Sequence, residues 1–313
     1  MGDLNSLLPP ESPVNAPEIP PAQKPSTLRM IFLGAGGIRA GWRFAMYLVM
    51  VILIGAAGGW VLNGWHTEGA ARLWAQMLGE CILVVASAVP AFIMARIEKR
   101  TFSDYGLPKQ NAFGKMFWVG AAWGIVAITL LLGALRGLHG FYFGHLALHG
   151  VRIVKFALFW GVFFVFVGLF EEFMLRGYTQ FTLTAGIGFW PSAVVLSSIF
   201  GAIHLTNPGE AWAGALAAGL IGLFFCLTLR RTGDLWFAVG LHFSFDWGET
   251  FLYSVPNSGT TSPGHLLSSS FHGPRWLTGG SVGPEGSVFV FALIGLMWVV
   301  FDRVYPEVKY KML

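Results

Sequence analysis

Charge is what this sequence has least of. Only 12% of its 313 residues are Asp, Glu, Lys or Arg, against 55% hydrophobic, and mean hydropathy is +0.62. That balance excludes a soluble globular domain of ordinary composition. Cysteine is nearly absent too. Cys81 and Cys226 both fall inside apolar runs, which excludes a disulfide or zinc-thiolate framework. Neither cysteine has a paired histidine motif, and no Gly-x-Ser-x-Gly elbow is expected, so no serine- or cysteine-centred nucleophile comes into view. A cleavable signal peptide is not expected either, because the first apolar run starts late and is long enough to span.

What is present is a series of long apolar runs. Eight segments approach the 20 or so helical residues that a bilayer core requires: Phe44–Leu62, Leu73–Ala95, Met116–Leu135, Phe156–Tyr178, Phe189–His204, Ala211–Leu229, Leu235–Tyr253 and Val288–Phe301. The fold class is all-α, a polytopic membrane protein of about eight transmembrane helices with its site inside the bundle. With a cytoplasmic N-terminus the 20 basic residues divide as 15 inside and 5 outside, Arg176 among the inside set. This agrees with the positive-inside rule and places both termini in the cytoplasm. The net charge of +4 then reflects anchoring to the lipid bilayer and gives no support for nucleic-acid binding. Residues 1–38, rich in Pro, Ser and Asn, read as a disordered cytoplasmic tail, and 39–313 as the membrane domain.

Against so few charges, those inside apolar runs stand out. Glu171, Glu172 and Arg176 lie beside the run that begins at Phe156. An ionisable group at bilayer depth costs about 2.5–3.5 kcal/mol on insertion scales, so such groups usually line a cavity and serve a function. On a helix Glu172 and Arg176 share a face while Glu171 points about 100° away. One carboxylate is held by the arginine and the other is free to act as a base, or the pair only fixes packing. His204 ends the fifth segment, ahead of the breaker Asn207-Pro208-Gly209. His242 and Asp246, four apart, project from one face of the seventh. Acid and histidine groups from three helices point to one site rather than three packing accidents.

Other polar positions read more blandly. Glu80, in the second segment, has no visible partner and reads as a helix–helix contact. His139, His145 and His149 occupy a glycine-rich stretch and read as surface residues. The Ser- and Gly-rich stretch from Pro256 to Gly286 either folds over the site or forms an exterior loop with an interfacial tryptophan, Trp276.

These residues resemble the CAAX-protease and bacteriocin-processing family of intramembrane endopeptidases. Its motif Glu-Glu-x-x-x-Arg stands at Glu171-Glu172-Phe173-Met174-Leu175-Arg176. Its Phe-x-x-x-His stands at Phe200 to His204, and its His-x-x-x-Asn/Asp at His242 to Asp246. The motifs fall within residues 150–255. The resemblance implies hydrolysis of peptide bonds in membrane-associated substrates, including prenylated CAAX-type peptides, without a covalent intermediate. Glu171 and His204 would activate water, His242 with Asp246 would polarise the carbonyl or bind the oxyanion, and Glu172 and Arg176 would orient the site. Where this chain has Asp246 the family often has Asn, and an ionised Asp cannot donate to an oxyanion. Asp246 is therefore protonated, or it orients His242 or a metal. Glu171, His204, His242 and Asp246 would form a reasonable Zn2+ shell, carried as a hypothesis. A bacterial inner-membrane location goes with this reading.

Two other classes remain in view: a silent scaffold or bacteriocin-immunity protein built on the same fold, and a proton-coupled transporter, for which no inverted repeat is visible. One inconsistency accompanies the layout. If the fourth helix ends near Thr179, His204 lies deeper than Glu171, so the fifth helix should start later, tilt or be displaced.

Overall fold

The computed structural model describes residues 26–34, 37–64 and 70–310. Most of the tail therefore lies outside the described residues. Its last part holds a short helix, α1 (Thr27–Phe32), and a two-stranded hairpin of β1 (Leu33–Gly34) with β2 (Gly37–Ile38).

In lipid a backbone must satisfy its hydrogen bonds within its own segment, so the apolar runs become helices. These are α2 (Ala40–Asn63), α3 (Ala70–Glu98), α4 (Lys115–Gly137), α5 (Val151–Glu172), α6 (Tyr178–Ile187), α7 (Phe189–His204), α8 (Trp212–Thr232) and α9 (Trp236–Trp247). Near the chain's end follow α10 (Arg275–Thr278) and α11 (Val288–Val304). All eight expected segments are helical. Five helices are long and apolar enough to cross a membrane: α2, α3, α4, α8 and the run Val151–Ile187 of 37 residues. The other three are shorter: α7 has 16 residues, α11 has 17, and α9 has 12 before a π-helical turn at Gly248–Leu252. By length and composition, five of the described helices meet the requirement for a crossing, and the other three segments are shorter apolar helices.

The 37-residue run corrects the fourth segment's boundary. A π-helical turn, Phe173–Gly177, joins α5 to α6, so the helix continues through Thr179, Gln180, Thr182 and Thr184. Those side chains are buried, and three of them are bonded internally: Thr179 Oγ1 donates to Met174 O at 2.6 Å, and Gln180 Nε2 donates to Phe189 O at 3.0 Å and to Thr184 Oγ1 at 3.3 Å. The depth conflict goes with the old boundary. Measured from the α6–α7 junction at 1.5 Å per residue, Glu171 lies about 24 Å in and His204 about 22 Å. Neither a late start nor a displacement of α7 is needed.

The helices alternate in direction, and polar contacts knit one end of the bundle. There Arg43 pairs with Glu98, Tyr178 donates to Glu98, Arg231 pairs with Asp302, and Arg230 sits over Phe189 and Trp190. The opposite end carries the small sheet of β3 (Phe141–Tyr142) with β4 (Ser270–Phe271) and the loop that follows α9.

The closest packing is between α4 and α9, which run side by side in the same direction. Glycines make it so. A Cβ on Gly120 would strike Phe237 O, one on Gly124 would strike Leu241 O and Ser244 Oγ, and one on Gly240 would strike Phe117 O. Small residues let membrane helices approach to backbone contact, where van der Waals packing rather than water holds them together. Gly124→Leu should therefore push α9 away and lower the thermal midpoint in detergent, a cost of about 1–3 kcal/mol for overpacking. An unchanged midpoint would show that the contact tolerates bulk.

Candidate active site

Three helices deliver the site. α5 supplies Glu171 and Glu172 at its end, the π turn supplies Arg176, α7 ends on His204, and α9 carries His242 and Asp246. A π turn shifts the hydrogen-bond register by one residue, a feature frequent at functional positions. Here it lies directly after the two glutamates.

Glu172 and Arg176 form a fully buried pair, Oε1 to Nη1 at 3.3 Å. The same Oε1 lies 2.9 Å from His242 Nδ1. A carboxylate accepts, so His242 carries its hydrogen on Nδ1 and turns Nε2 toward the remaining acids. Nε2 is 3.6 Å from Glu171 Oε2 and 3.5 Å from Asp246 Oδ2. Glu171 is the most accessible of these groups, its side chain 27% exposed against 11% for His242 and Asp246.

The Phe-x-x-x-His motif has a physical explanation on both counts. The Phe200 ring lies 4.4 Å from the Arg176 guanidinium, which also faces Phe225 at 5.6 Å. A cation buried on aromatic faces is held by the ring quadrupole as well as by its carboxylate. Gly222 leaves the room, since any Cβ there would meet Arg176. Phe200 O in turn accepts from His204 Nδ1 at 2.8 Å. A carbonyl cannot donate, so Nδ1 holds the hydrogen and the His204 Nε2 lone pair is free.

A cavity of about 280 Å³ brings Glu171, His204, His242 and Asp246 onto one surface. Glu172 and Arg176 stand behind it. Sequence reasoning missed several lining groups. Glu80 lines the cavity instead of making a closed helix contact, as do Asn207, Asn257 and Glu285. Glu80 was visible as a charge in an apolar run; the loop residues gave no such signal. The Pro256–Gly286 stretch covers the cavity's mouth. Asn207 Nδ2 donates to Ser258 O at 3.0 Å, Ser258 N and Oγ donate to Glu285 Oε2 at 2.7 and 2.9 Å, and Ser281 Oγ donates to Gly209 O at 2.9 Å. Arg176 is not a loop charge, and it leaves the inside count without changing the bias.

One expectation needs correction, and the zinc hypothesis gains no support. The run Gly279-Gly280-Ser281-Val282-Gly283 does have the Gly-x-Ser-x-Gly spacing. Ser281 is exposed, however, and hydrogen-bonds to a backbone carbonyl, not to a histidine. It is no nucleophile elbow, which requires a strand-to-helix turn. Nor do the residues fit the zinc hypothesis: among the described residues no group of three or more His, Cys, Asp or Glu side chains is arranged to hold a metal ion. His139, His145 and His149 are exposed, as expected.

Residues 153–248 match the family model for type II CAAX prenyl endopeptidase, Rce1-like. The match contains all three motifs, from Glu171 to Asp246. No curated protein and no solved structure matches the chain.

Proposed function

We propose, from the Rce1-like match across residues 153–248, that this integral membrane protein is an intramembrane endopeptidase acting on membrane-associated peptides. The observation that carries the reading is a division of labour between the two adjacent glutamates. Glu172 is buried and committed to Arg176 and His242, whereas Glu171 is open to the cavity that His204 also lines.

In the proposed reaction a water held between Glu171 and His204 loses a proton to this pair as its oxygen attacks the substrate carbonyl. Water is a poor nucleophile, and a positioned base contributes about 10²–10⁴-fold. Negative charge develops on the carbonyl oxygen. His242 as imidazolium donates to it from Nε2, with Nδ1 anchored on Glu172 in a low-dielectric site where such a donor acts strongly. Asp246, 3.5 Å from Nε2, holds the imidazolium by charge, so an acceptor serves where an Asn would donate. The proton taken from water passes to the leaving amine as the C–N bond breaks. Prenylated CAAX-type peptides belong to this proposal as one substrate class, and a bacterial inner membrane with both termini cytoplasmic as the setting.

The test is mass spectrometry of prenylated and unprenylated membrane-associated peptides after incubation with purified protein. Cleavage should survive treatment with EDTA and 1,10-phenanthroline, since no step above uses a metal. Activity lost to chelators and restored by Zn2+ would overturn the metal-free route.

A further inference from the structure

The cavity is one-sided in charge. Glu80, Glu171, Asp246 and Glu285 line it, and no lysine or arginine does. Arg176 cannot serve, being buried behind Glu172 and between two rings. Among the described residues its cationic candidates are His204 and His242.

Two further acids add to this field without lining the cavity. Glu210, on the loop after α7, feels the charges of Glu285 and His204; burial raises its carboxyl above the ordinary range, the Ala211 amide opposes that, and Glu285 adds to it. Glu249 follows Asp246 by three residues, within coulombic reach of Glu285, Asp246 and Glu210. Its side chain is 0% exposed and neither carboxylate oxygen has a hydrogen-bond partner among the described residues. Buried polar groups are nearly always paired, and each exception calls for an explanation. Glu285 is half-used in the same way: Oε2 accepts from Ser258, and no hydrogen bond is made by Oε1 among the described residues.

Acids that outnumber their counter-charge, here His242 as imidazolium, repel one another, and a further cation entering among them is attracted strongly at reduced dielectric. The side chains are not arranged for a metal. A cation on a long, flexible stem fits the place, because it can pass the loop and reach inward while its backbone stays at the cut. We infer that the part of the cavity lined by Asp246 and Glu285 is a specificity subsite for a lysine or arginine side chain of the substrate, close to the bond that is cut. This rests on the hydrolase reading and narrows it. The same field penalises an acidic residue, or a free C-terminal carboxylate, at that position.

The test uses one membrane-associated peptide in three forms, with Lys, Gln or Glu scanned through the positions flanking the cut. Each is made as a cleavable peptide and as its ketomethylene analogue, which binds without being hydrolysed. At the responsive position both kcat/KM and analogue affinity should rank Lys over Gln over Glu, with about tenfold between the first two and a loss of ranking in high salt. Glu285→Gln should narrow the ranking and Glu285→Lys should turn it toward the Glu peptide. Glu210→Gln provides a second narrowing should the Glu285 variants fail to fold. Cleavage with no charge ranking at any position overturns the subsite and leaves the hydrolase. Ranked binding with no cleavage upholds the subsite and overturns the hydrolase. Flat binding in wild type overturns the inference.

Discussion

Glu171→Gln lowers kcat/KM by about 10²–10⁴-fold on the proposed reading, and His204→Ala does the same, because each removes part of the unit that takes the proton from water. The loss should fall on kcat with KM little changed, since a proton transferred only in the transition state contributes nothing to ground-state binding. Both groups act on one water, so the double variant should be scarcely worse than the weaker single variant; residues that work as a unit are strongly non-additive. Folding should be unaffected, because Glu171 is partly open to the cavity and His204 ends its helix. The assay is steady-state cleavage with mass-spectrometric identification of the products. Variants that retain a tenth of wild-type activity would remove Glu171 and His204 from the reaction.

The second large effect concerns stability, and it separates Glu172 from its neighbour. Arg176→Leu leaves the Glu172 carboxylate fully buried with only His242 Nδ1 against Oε1, and Oε2 has no partner among the described residues. Breaking a buried pair by removing one member costs about 3–5 kcal/mol, because the remaining charge is uncompensated. Replacing both members by apolar residues often restores stability. The Glu172→Leu/Arg176→Leu double variant should therefore melt well above Arg176→Leu in detergent. It should remain inactive, because His242 has lost the acceptor 2.9 Å from its Nδ1. Recovery of stability together with activity would show that Glu172 is a packing residue and nothing more.

The six residues expected at the site could be read because charge is so scarce: a Glu, Arg or His inside an apolar run has few explanations, and spacing of three or four residues fixes which share a face. The structure places Glu172 and Arg176 together behind the cavity, with Glu171, His204, His242 and Asp246 on it. Segment positions were legible for the same reason, through hydropathy. Boundaries were not. The fourth segment ends at Tyr178 on hydropathy because polar residues follow it, yet Gln180, Thr182 and Thr184 are buried inside the bundle, with Gln180 bonded to Thr184 and to Phe189 O. Hydropathy also cannot tell a lipid-facing side from a protein-facing one, so the approach of α4 to α9 through Gly120, Gly124 and Gly240 left no trace beyond glycine itself. The mouth residues were hidden for a different reason. Asn257, Ser258 and Glu285 reach the site by tertiary folding of a loop, and no local period encodes that.

The π turn that joins α5 to α6 does more than aim Arg176. The continuous run of 37 residues is about 55 Å long at 1.5 Å per residue, against a hydrocarbon slab of about 30 Å. Its immediate neighbour α7, with 16 residues, is only about 24 Å long. The two share one end, so their lengths cannot both match the same lipid. Either the long rod leans far from the membrane normal or acyl chains beside α7 must shorten and let the headgroups sink. In the second case the water boundary at His204, where α7 stops, lies deeper than it does along the long rod, and the proposed hydrolysis would draw its water from there.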